Sequence, residues 1–418
     1  MTGIDRGAPL GPNGFGRDGA EARPPALSHF ALFVRFLRFG VLAFGGPVAQ
    51  IATIRRELVD EERWIPSDRF NRLLAVMQVL PGPEAHELCV HLGIRAKGRL
   101  GGVLAGLGFM LPGLGLMLLL AWAYTRLPIA GTVLGAMFLG VQAAVIAVIV
   151  RAVHRIGEHI LTDPWLWAAA VTAAAASLAG ASFLLVLPAA GAAYALGSTG
   201  RRWSAAAVVA AAAGAALLLW AAGPAAAAAP GTSGWGPTGA GPSAAALFWA
   251  GLKGGLLTFG GAYTAIPFVR ADTVGRGWMT DAQFLDGLGL SGILPAPLVI
   301  FATFVGWVSG GPAGALAITA GMFLPAFAFS LLFYERLEAV IEQERLQLFL
   351  SGVAAGVVGL IVVTAADLAR AGAVRTPSLA VSAIVFVVAL AIAYRWKSKL
   401  ATPAVLAMGA AAGAAALG

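Results

Sequence analysis

Seven stretches of this chain carry almost no charge, and each is close to the length that crosses a lipid bilayer. A transmembrane helix needs about 20 predominantly apolar residues, because it rises about 1.5 Å per residue through a hydrocarbon core about 30 Å thick. A transmembrane β-barrel would instead show shorter segments that alternate in hydropathy. The pattern therefore predicts an all-α polytopic membrane protein. The seven stretches are 101–125, 132–150, 203–222, 312–333, 349–366, 377–394 and 400–417.

Composition agrees with a membrane protein and argues against several other classes. Charged residues make up 11% of the 418 residues, against about 25% in soluble domains. The single cysteine, Cys89, excludes an intrachain disulfide. The net charge of +8 is what cytoplasmic loops usually supply, so it gives no reason to expect nucleic acid as a partner.

The chain also contains one pattern twice, in the same order. Ordered matches at a nearly constant offset, which falls only from 215 to 213, indicate a tandem duplication of about 125 residues per unit. Glycine and proline interrupt an apolar segment in the same way in both copies. The matched segments are FGG at 44–46 and 259–261, tryptophan at 64 and 278, Pro-x-Pro at 81–83 and 295–297, and Leu-Pro at 111–112 and 324–325.

These matches divide the chain into two homologous units with a tail and a linker. The tail is rich in glycine and proline and lacks an apolar core, so we expect it to be disordered. The linker is an uncharged Gly/Pro/Ala/Ser segment. The predicted segments are a tail at 1–28, a first transmembrane repeat at 29–222 with a core of about 33–157 and extra helices, a linker at 223–243, and a second transmembrane repeat at 244–418.

The second repeat is predicted to be inverted relative to the first. Between the two broken regions we count five crossings, or three if the alanine-rich pair at 163–198 is left out, and both numbers are odd. Loop charges agree. The loops of the first copy carry eight cations and the equivalent loops of the second carry two, as expected for loops on opposite sides of the membrane. Inverted repeats are typical of secondary transporters. The cations are Arg55, Arg56, Arg63, Arg69, Arg72, Arg95, Lys97 and Arg99 in the first copy, and Arg270 and Arg276 in the second.

The broken segments are predicted to be re-entrant hairpins. The N-terminal tail and the loops at 55–72 and 95–99 are all basic, so all three should be cytoplasmic. Segments 29–54 and 70–94 would then enter and leave on one side, with FGGP and PGP at their tips. Irregular backbone at that depth is tolerated only inside protein or beside a water-filled cavity. The alternative is two kinked full spans, which would put five arginines outside.

Each break can start a short helix whose first N–H groups face the middle of the membrane. A proline suits the first position of a helix, and the free N–H groups with the helix dipole form an anion site. Four such tips, two from each repeat, would converge on one oxyanion from both sides. The predicted substrate-binding residues at the tips are Gly45, Gly46, Pro47, Gln50, Gly82, Pro83, Gly260, Gly261, Ala262, Tyr263, Ala296 and Pro297.

Two cations occupy equivalent positions before the two FGG runs. Arg38 and Lys253 each lie six residues before the first phenylalanine of their run. A charge in hydrocarbon costs about 2.5–3.5 kcal/mol even on insertion scales, so it is usually functional or faces a cavity. We therefore predict that both bind substrate. The alternative is that their long side chains extend to the membrane surface.

Two polar residues after the first Pro-Gly-Pro run are candidates for proton coupling. Glu84 stands in the first turn of the predicted helix, where it could instead complement the helix dipole. His86 follows it and could line the same cavity. His86 and His91 are five residues apart, so they do not share a helix face as a zinc-protease motif requires. We predict no metal site, no cofactor and no catalytic residues.

The motifs resemble those of the chromate ion transporter family. They are FGGP followed by Gln50 and Ile51, Arg56-Glu57-Leu58-Val59 with Trp64, the run from Leu80 to Ala85, FGGAY at 259–263, and Pro295-Ala296-Pro297-Leu298. The resemblance covers the chain from about Phe30 to Gly372 and includes both repeats. Two positions depart from it: many members have histidine where this chain has Gln50, and glycine is commoner where it has Ala296.

The resemblance implies a chromate exporter of the bacterial inner membrane that uses the proton-motive force. It also implies sulphate as a competing analogue and two halves of opposite orientation. Residue patterns alone support an anion transporter with a cytoplasmic N-terminus, so sulphate or another oxyanion stays an alternative substrate. An anion channel is a second alternative. A membrane-embedded enzyme is disfavoured because no nucleophile, metal set or acid–base pair is present. The lipid bilayer is the expected environment, and a homodimer is an open question.

Overall fold

The computed structural model describes residues 24–129, 131–221, 241–259, 261–332, 343–396 and 398–417. Most of the predicted tail, most of the predicted linker and the predicted site residue Gly260 lie outside these ranges. The described residues form helices joined by short turns and contain no strand. Together with four stretches of helix that are long and apolar enough to cross a membrane, this confirms an all-α polytopic membrane protein.

The first half of the described chain contains eight α-helices. A π-helical turn, Arg56–Glu61, extends the second of them. The helices are α1 His29–Val41, α2 Gly46–Arg55, α3 Ser67–Val79, α4 Glu84–Arg126, α5 Val133–Ile160, α6 Pro164–Leu178, α7 Phe183–Ser198 and α8 Arg202–Ala221.

The second half contains seven α-helices in the described ranges. Short 3₁₀ turns, Ala262–Ala265 and Leu298–Ile300, lead into two of them. The helices are α9 Ala244–Leu256, α10 Ile266–Thr273, α11 Asp281–Ile293, α12 Phe301–Leu332, α13 Glu344–Arg375, α14 Leu379–Arg395 and α15 Ala401–Ala416.

The chain reverses at each FGG break. Arg38 forms an ion pair with Glu57 at 3.3 Å, although a straight helix would hold residues 19 positions apart at roughly 28 Å. Lys253 forms the equivalent pair with Asp272, also 19 positions along the chain. α1 and α2 are therefore antiparallel, as are α9 and α10. This geometry favours hairpins over kinked continuous helices.

The chain also reverses at the Pro-Gly-Pro run. The Arg95 side chain donates from Nε to the backbone oxygen of Trp64 at 3.2 Å, which joins the end of one arm to the start of the other. In the second half, the Phe284 and Phe301 rings pack with centroids 5.6 Å apart across the Pro-Ala-Pro run. Both halves therefore build two consecutive hairpins.

The long helices α4 and α12 are each two helices folded at a glycine. The backbone leaves helical geometry at Lys97 (φ −145°, ψ 29°) and Gly98 (φ 64°, ψ −166°). It does so again at Gly310 (φ −146°, ψ 20°) and Gly311 (φ 64°, ψ −158°). We name the arms α4a (84–96) and α4b (99–126), and α12a (301–309) and α12b (312–332). The first of these turns falls in the basic loop that the sequence predicts at 95–99.

Glycine contacts repeat between the halves, residue for residue. Gly108 of α4b packs against the backbone of α1 at Phe33 and Leu37. Gly321 of α12b packs in the same way against α9 at Phe248 and Leu252. A glycine lets two helix backbones approach closely, which is a common way to pack helices in membranes. The duplicated sequence thus folds into duplicated packing.

One hydrogen bond between the two halves shows where the second half lies along α4b. The Trp307 indole donates from Nε1 to the Thr125 hydroxyl oxygen at 3.2 Å. Thr125 lies near the C-terminal end of α4b, roughly 40 Å along the helix from the turn at Gly98. Trp307 is three residues before the equivalent turn at Gly310. The two equivalent turns therefore lie at opposite ends of α4b.

Candidate functional site

The tip of the first FGG hairpin contacts the Pro-Ala-Pro tip of the other half. The Gln50 side chain is buried, and its Nε2 donates to the backbone oxygens of Ala43 at 2.8 Å and Ala296 at 3.1 Å. Gln50 therefore connects two tips that are 246 residues apart in sequence. Its Oε1 is buried and has no hydrogen-bond partner among the described residues.

A reciprocal contact joins the other two tips. The backbone N–H of Gly82, in the Pro-Gly-Pro tip, donates to the backbone oxygen of Thr258 at 2.8 Å, just before the second FGG run. In the repeat, Ala43 corresponds to Thr258 and Gly82 corresponds to Ala296, at offsets of 215 and 214. Each FGG tip thus contacts the Pro-x-Pro tip of the opposite half. The two halves are related at this point by an approximate two-fold axis.

The helices that begin at the four tips have no side-chain cap. Elsewhere Ser28 caps α1, Ser243 caps α9 and Thr280 caps α11 in a capping box, whereas α3, α5 and α13 also begin without a side-chain cap. A serine or threonine there accepts from the first free N–H groups of the helix, which are otherwise left unpaired. At the tips no side chain accepts from those groups. The uncapped N-cap residues are Gly45, Pro83, Gly261 and Pro297.

The first-half tips depend on glycine geometry. Gly45 has φ 90°, a left-handed conformation that side chains rarely adopt, and the backbone of Lys399 packs directly against it. Pro47 then lies in the first turn of α2, and Pro83 directly precedes α4, where the sequence predicts helix starts. Gly82 has φ 148°, and a side chain there would meet the Glu87 carboxylate.

The second FGG tip is closed by a threonine. The Thr264 hydroxyl accepts from the Phe259 N–H at 3.0 Å and donates to the Gly261 oxygen at 2.6 Å. Ala262 is buried beneath this turn. Tyr263 lines a small cavity with Val145 of α5, Leu406 of α15 and Leu298, which directly follows the Pro-Ala-Pro tip. Thr264 thus connects the two sides of this turn by hydrogen bonds.

Three polar side chains follow the Pro-Gly-Pro tip, and all are buried. Glu84 is 8% exposed and interacts electrostatically with Arg155 of α5, which also acts on Tyr263. Glu87 is fully buried, and neither of its carboxylate oxygens has a hydrogen-bond partner among the described residues. A carboxylate buried in this way beside Gly82 gives the tip a group that can exchange a proton.

The His86 ring is enclosed by aromatic side chains. It lies 4.7 Å from the Phe327 ring, 5.0 Å from the Phe323 ring and 6.4 Å from the Phe109 ring, measured between centroids. Two of these rings belong to the second half. His86 therefore packs at the contact between the halves, next to the tips but among apolar groups.

Arg38 and Lys253 contact carboxylates along the hairpins rather than the tips. Glu57 is shared by Arg38 and Arg35, whereas Asp272 is shared by Lys253 and, at 3.1 Å, Arg276. Both acids are 5% exposed. Each cation precedes its tip by about two helical turns, roughly 10 Å. The structure thus brings the tip residues together and holds the two cations in equivalent ion pairs at their side.

Sequence reasoning missed both carboxylates, although one signal could have found them. Glu57 and Asp272 are separated by the repeat offset of 215, as Arg38 and Lys253 are. A cation and an acid that both recur at the same offset predict that the two contact each other within each repeat. Glu87 has no such signal, because its counterpart is the apolar Phe301.

The arrangement suits an anion that is bound mainly by backbone groups. Four helix starts with uncapped N–H groups converge, and Gln50 adds a buried amide whose donors are engaged with the backbone. Among the residues that the structure describes, no group of three histidine, cysteine, aspartate or glutamate side chains could hold a metal ion. The cations nearest the tips are Arg155, which acts on Glu84, and the ion-paired Arg38 and Lys253 along the hairpins.

Comparison with known proteins finds relatives over nearly the whole chain. The family model described as Chromate transporter matches residues 30–235 and 245–414. A chromate transport protein of Pseudomonas aeruginosa is 63% identical over 380 residues, which cover 91% of this chain and 90% of that protein. One of Cupriavidus metallidurans is 30% identical over 404 residues, 93% of each chain. No solved structure matches this chain.

Proposed function

Because this chain belongs to the chromate transporter family, we propose that it is a secondary transporter that exports chromate across the bacterial inner membrane. The relatives named as chromate transport proteins support the substrate, since one of them is 63% identical over 91% of this chain. The observation that carries the mechanism is the reciprocal contact of four uncapped helix tips between the halves. Sulphate has the same shape and charge as chromate, so it should compete for the site.

The proposed binding site is the junction of the four tips. Backbone N–H groups at helix starts bind oxyanions without needing a nearby lysine or arginine. Arg38 and Lys253 then contribute positive charge from the side, each together with its carboxylate partner. The other substrate-binding residues we propose are Gly45, Gly46, Pro47, Gln50, Gly82, Pro83, Gly260, Gly261, Ala262, Tyr263, Ala296 and Pro297.

We propose that the two repeats, 29–222 and 244–418, are inverted and that their tips are re-entrant. Three observations support this arrangement: the chain reversals at the tips, the basic loops of the first half, and the position of Trp307 beside Thr125 at the far end of α4b. The basic loops assign the N-terminus to the cytoplasm. An inverted pair can open alternately to each side around one fixed site.

The membrane potential is sufficient to drive export. Moving one elementary charge through 100 mV is worth about 2.3 kcal/mol, so a dianion leaving a negative interior gains about 4.6 kcal/mol. That energy supports a concentration ratio of roughly 2000-fold. A proton gradient can add to this only if a titrating group responds to the bound anion.

The test is chromate flux into proteoliposomes that contain the purified protein. A potassium gradient with valinomycin sets the potential, and a pH gradient is imposed separately, with sulphate added as competitor. We expect saturable chromate flux that follows the potential, responds to pH and falls with sulphate. Linear, non-saturating flux that dissipates any gradient would indicate a channel. Flux of sulphate without chromate would contradict the substrate, and no flux of either anion in folded protein would contradict the function.

Glu84→Gln is expected to remove the response of chromate flux to pH. We propose that Glu84 binds a proton when the anion leaves, so that chromate and protons cross the membrane in opposite directions. Wild-type uptake into the vesicles should therefore rise as the pH on the receiving side falls, whereas the glutamine variant, which cannot bind and release this proton, should not respond. Initial rates between pH 6 and pH 8 at constant potential measure this.

The control for Glu84→Gln is Glu61→Gln, which removes an exposed carboxylate that pairs with Arg56 at 3.7 Å. We expect it to keep the wild-type pH response. Glu87→Gln should be compared in the same assay, because that carboxylate lies against Gly82. A Glu84→Gln variant with an unchanged pH response would contradict its role. His86 stays a prediction as a second proton-carrying group.

A further inference from the structure

A buried aspartate lies between the two halves, away from the four tips. Asp286 of α11 is 4% exposed and accepts two hydrogen bonds from the first half. The Tyr124 hydroxyl of α4b donates to its Oδ2 at 2.8 Å, and Gln142 Nε2 of α5 donates to its Oδ1 at 2.8 Å. One carboxylate of the second half thus accepts hydrogen bonds from two helices of the first half.

The charges around Asp286 leave it without an ion-pair partner. No salt bridge to Asp286 occurs in the part of the chain that the structure describes. Tyr124 is the titratable group in contact with it, and Arg375, at the end of α13, is the cation that acts on it from a distance. A charge buried without an ion-pair partner is costly, so such a residue is a candidate for a functional role.

The position of Asp286 has no acidic counterpart in the first half. The equivalent residue, at an offset of 214, is Arg72, which is exposed and pairs with Asp68 at 3.3 Å. Asp286 contacts Tyr124 near the end of α4b where Trp307 also lies. The buried acid therefore belongs to one side of the molecule only, which is the outer side in the proposed topology.

The neighbouring space allows these contacts to change. Gln142 also lines a cavity of ≈ 470 Å³ between α5, α13 and α14, whose other lining residues are mostly apolar. Its Oε1 is buried and has no hydrogen-bond partner in the described residues. The amide can therefore turn away from Asp286 into existing space when the halves move relative to one another.

From these contacts we propose that Asp286 is a second proton-binding site of the transport cycle, located at the outer contact between the halves. This inference rests on the proposed function as a transporter that responds to protons. A deprotonated Asp286 needs both donors and holds α11 against α4b and α5. When the carboxylate takes a proton from the outer side, its charge is lost and the halves can separate there. The proton returns to the outer water when the contact forms again, so Asp286 makes the rate respond to the outer pH without itself carrying a proton across the membrane.

Asp286→Asn tests this proposal, because asparagine keeps the shape and some hydrogen bonding but cannot bind a proton. Two assays in proteoliposomes distinguish an effect on the movement of the halves from an effect on proton binding. Exchange of labelled chromate at equal pH on both sides requires movement of the halves, whereas stimulation by an imposed pH gradient requires proton binding. We expect exchange within about threefold of wild type and at least a tenfold loss of the stimulation.

Tyr124→Phe provides a second, milder variant that keeps the fold if Asp286→Asn does not. The lost hydrogen bond favours the charged carboxylate, so the pH of half-maximal stimulation should move up by about one unit. A purely structural role would lower the rate without moving that pH. Asp68→Asn is the control and should behave as wild type.

The outcomes separate this inference from the proposed function. A wild-type protein that responds to the gradient and an Asp286→Asn variant that responds equally would overturn the role of Asp286 alone. An unshifted midpoint in Tyr124→Phe would do the same. A wild type that moves chromate without any response to the pH gradient would overturn this inference together with proton coupling, but not the transport of chromate.

Discussion

Asp272→Ala is expected to leave little folded protein in the membrane. The carboxylate is 5% exposed and is shared by Lys253 and Arg276, so its removal leaves two cations without their partner. Removing one side of a buried pair costs about 3–5 kcal/mol, a large part of the 5–15 kcal/mol that stabilises a typical domain. The repeat predicts the same result for Glu57→Ala. Yield of monodisperse protein and the thermal unfolding midpoint in detergent measure the loss.

Exchange of the two charges separates stability from substrate binding. In Lys253→Asp combined with Asp272→Lys, the ion pair can form again with opposite polarity, so the yield should recover in part, although Arg276 would then face a lysine. Chromate flux should stay at least tenfold below wild type if Lys253 itself supports the anion. Recovery of both yield and flux would show that the pair is only structural. Asp68→Ala, which removes an exposed partner of Arg72, should change stability by less than about 0.5 kcal/mol.

Gly82→Ala is expected to lower chromate flux by about 100-fold. At φ 148° a side chain strains the backbone, and the new methyl group would collide with the Glu87 carboxylate. The tip would have to move, which endangers the hydrogen bond from the Gly82 N–H to the Thr258 oxygen. Backbone strain costs about 1–3 kcal/mol and an unpaired buried group about as much again. Initial flux per folded transporter in proteoliposomes is the measurement.

The matched control is Ala296→Gly, the same change in reverse at the equivalent tip. The Ala296 side chain packs against Gly113, and its backbone oxygen would still accept from Gln50. Loss of one methyl group costs about 1 kcal/mol, so flux should stay within about threefold of wild type. If Gly82→Ala kept wild-type flux, the tip geometry would not be needed for transport. An equal loss in both variants would mean that any change at a tip is harmful.

Local rules predicted the helix starts well. Pro47 and Pro83 lie where helices begin, because proline lacks the N–H that a first turn leaves unpaired in any case. The basic loops indicated the chain reversals, and the turn at Lys97 and Gly98 falls inside one of them. Each of these signals is carried by a few adjacent residues, so a single sequence is enough to reveal it.

Contacts between the halves could not be predicted in the same way. Nothing near Gln50 in the sequence indicates that its amide reaches Ala296, since the partner is defined only when both halves are folded. Asp286 looks like an ordinary polar residue in the middle of a helix until Tyr124 and Gln142 are brought against it. The ion pairs of Arg38 and Lys253 are intermediate in how far they can be predicted. Their partners are distant in sequence, but the repeat offset identifies them.

The reciprocal contact of the tips also sets an order of events during synthesis. Gln50 is made 246 residues before the Ala296 whose backbone it binds, and ribosomes add about 5–20 residues per second. The first pair of hairpins therefore waits roughly 12 to 50 seconds, with polar backbone at its tips and no partner half. Hydrocarbon does not tolerate such groups, so that interval must be spent against water, other protein or the insertion machinery. The proposed anion site is consequently incomplete until the second half has been synthesised, so a nascent first half has only two of its four tips.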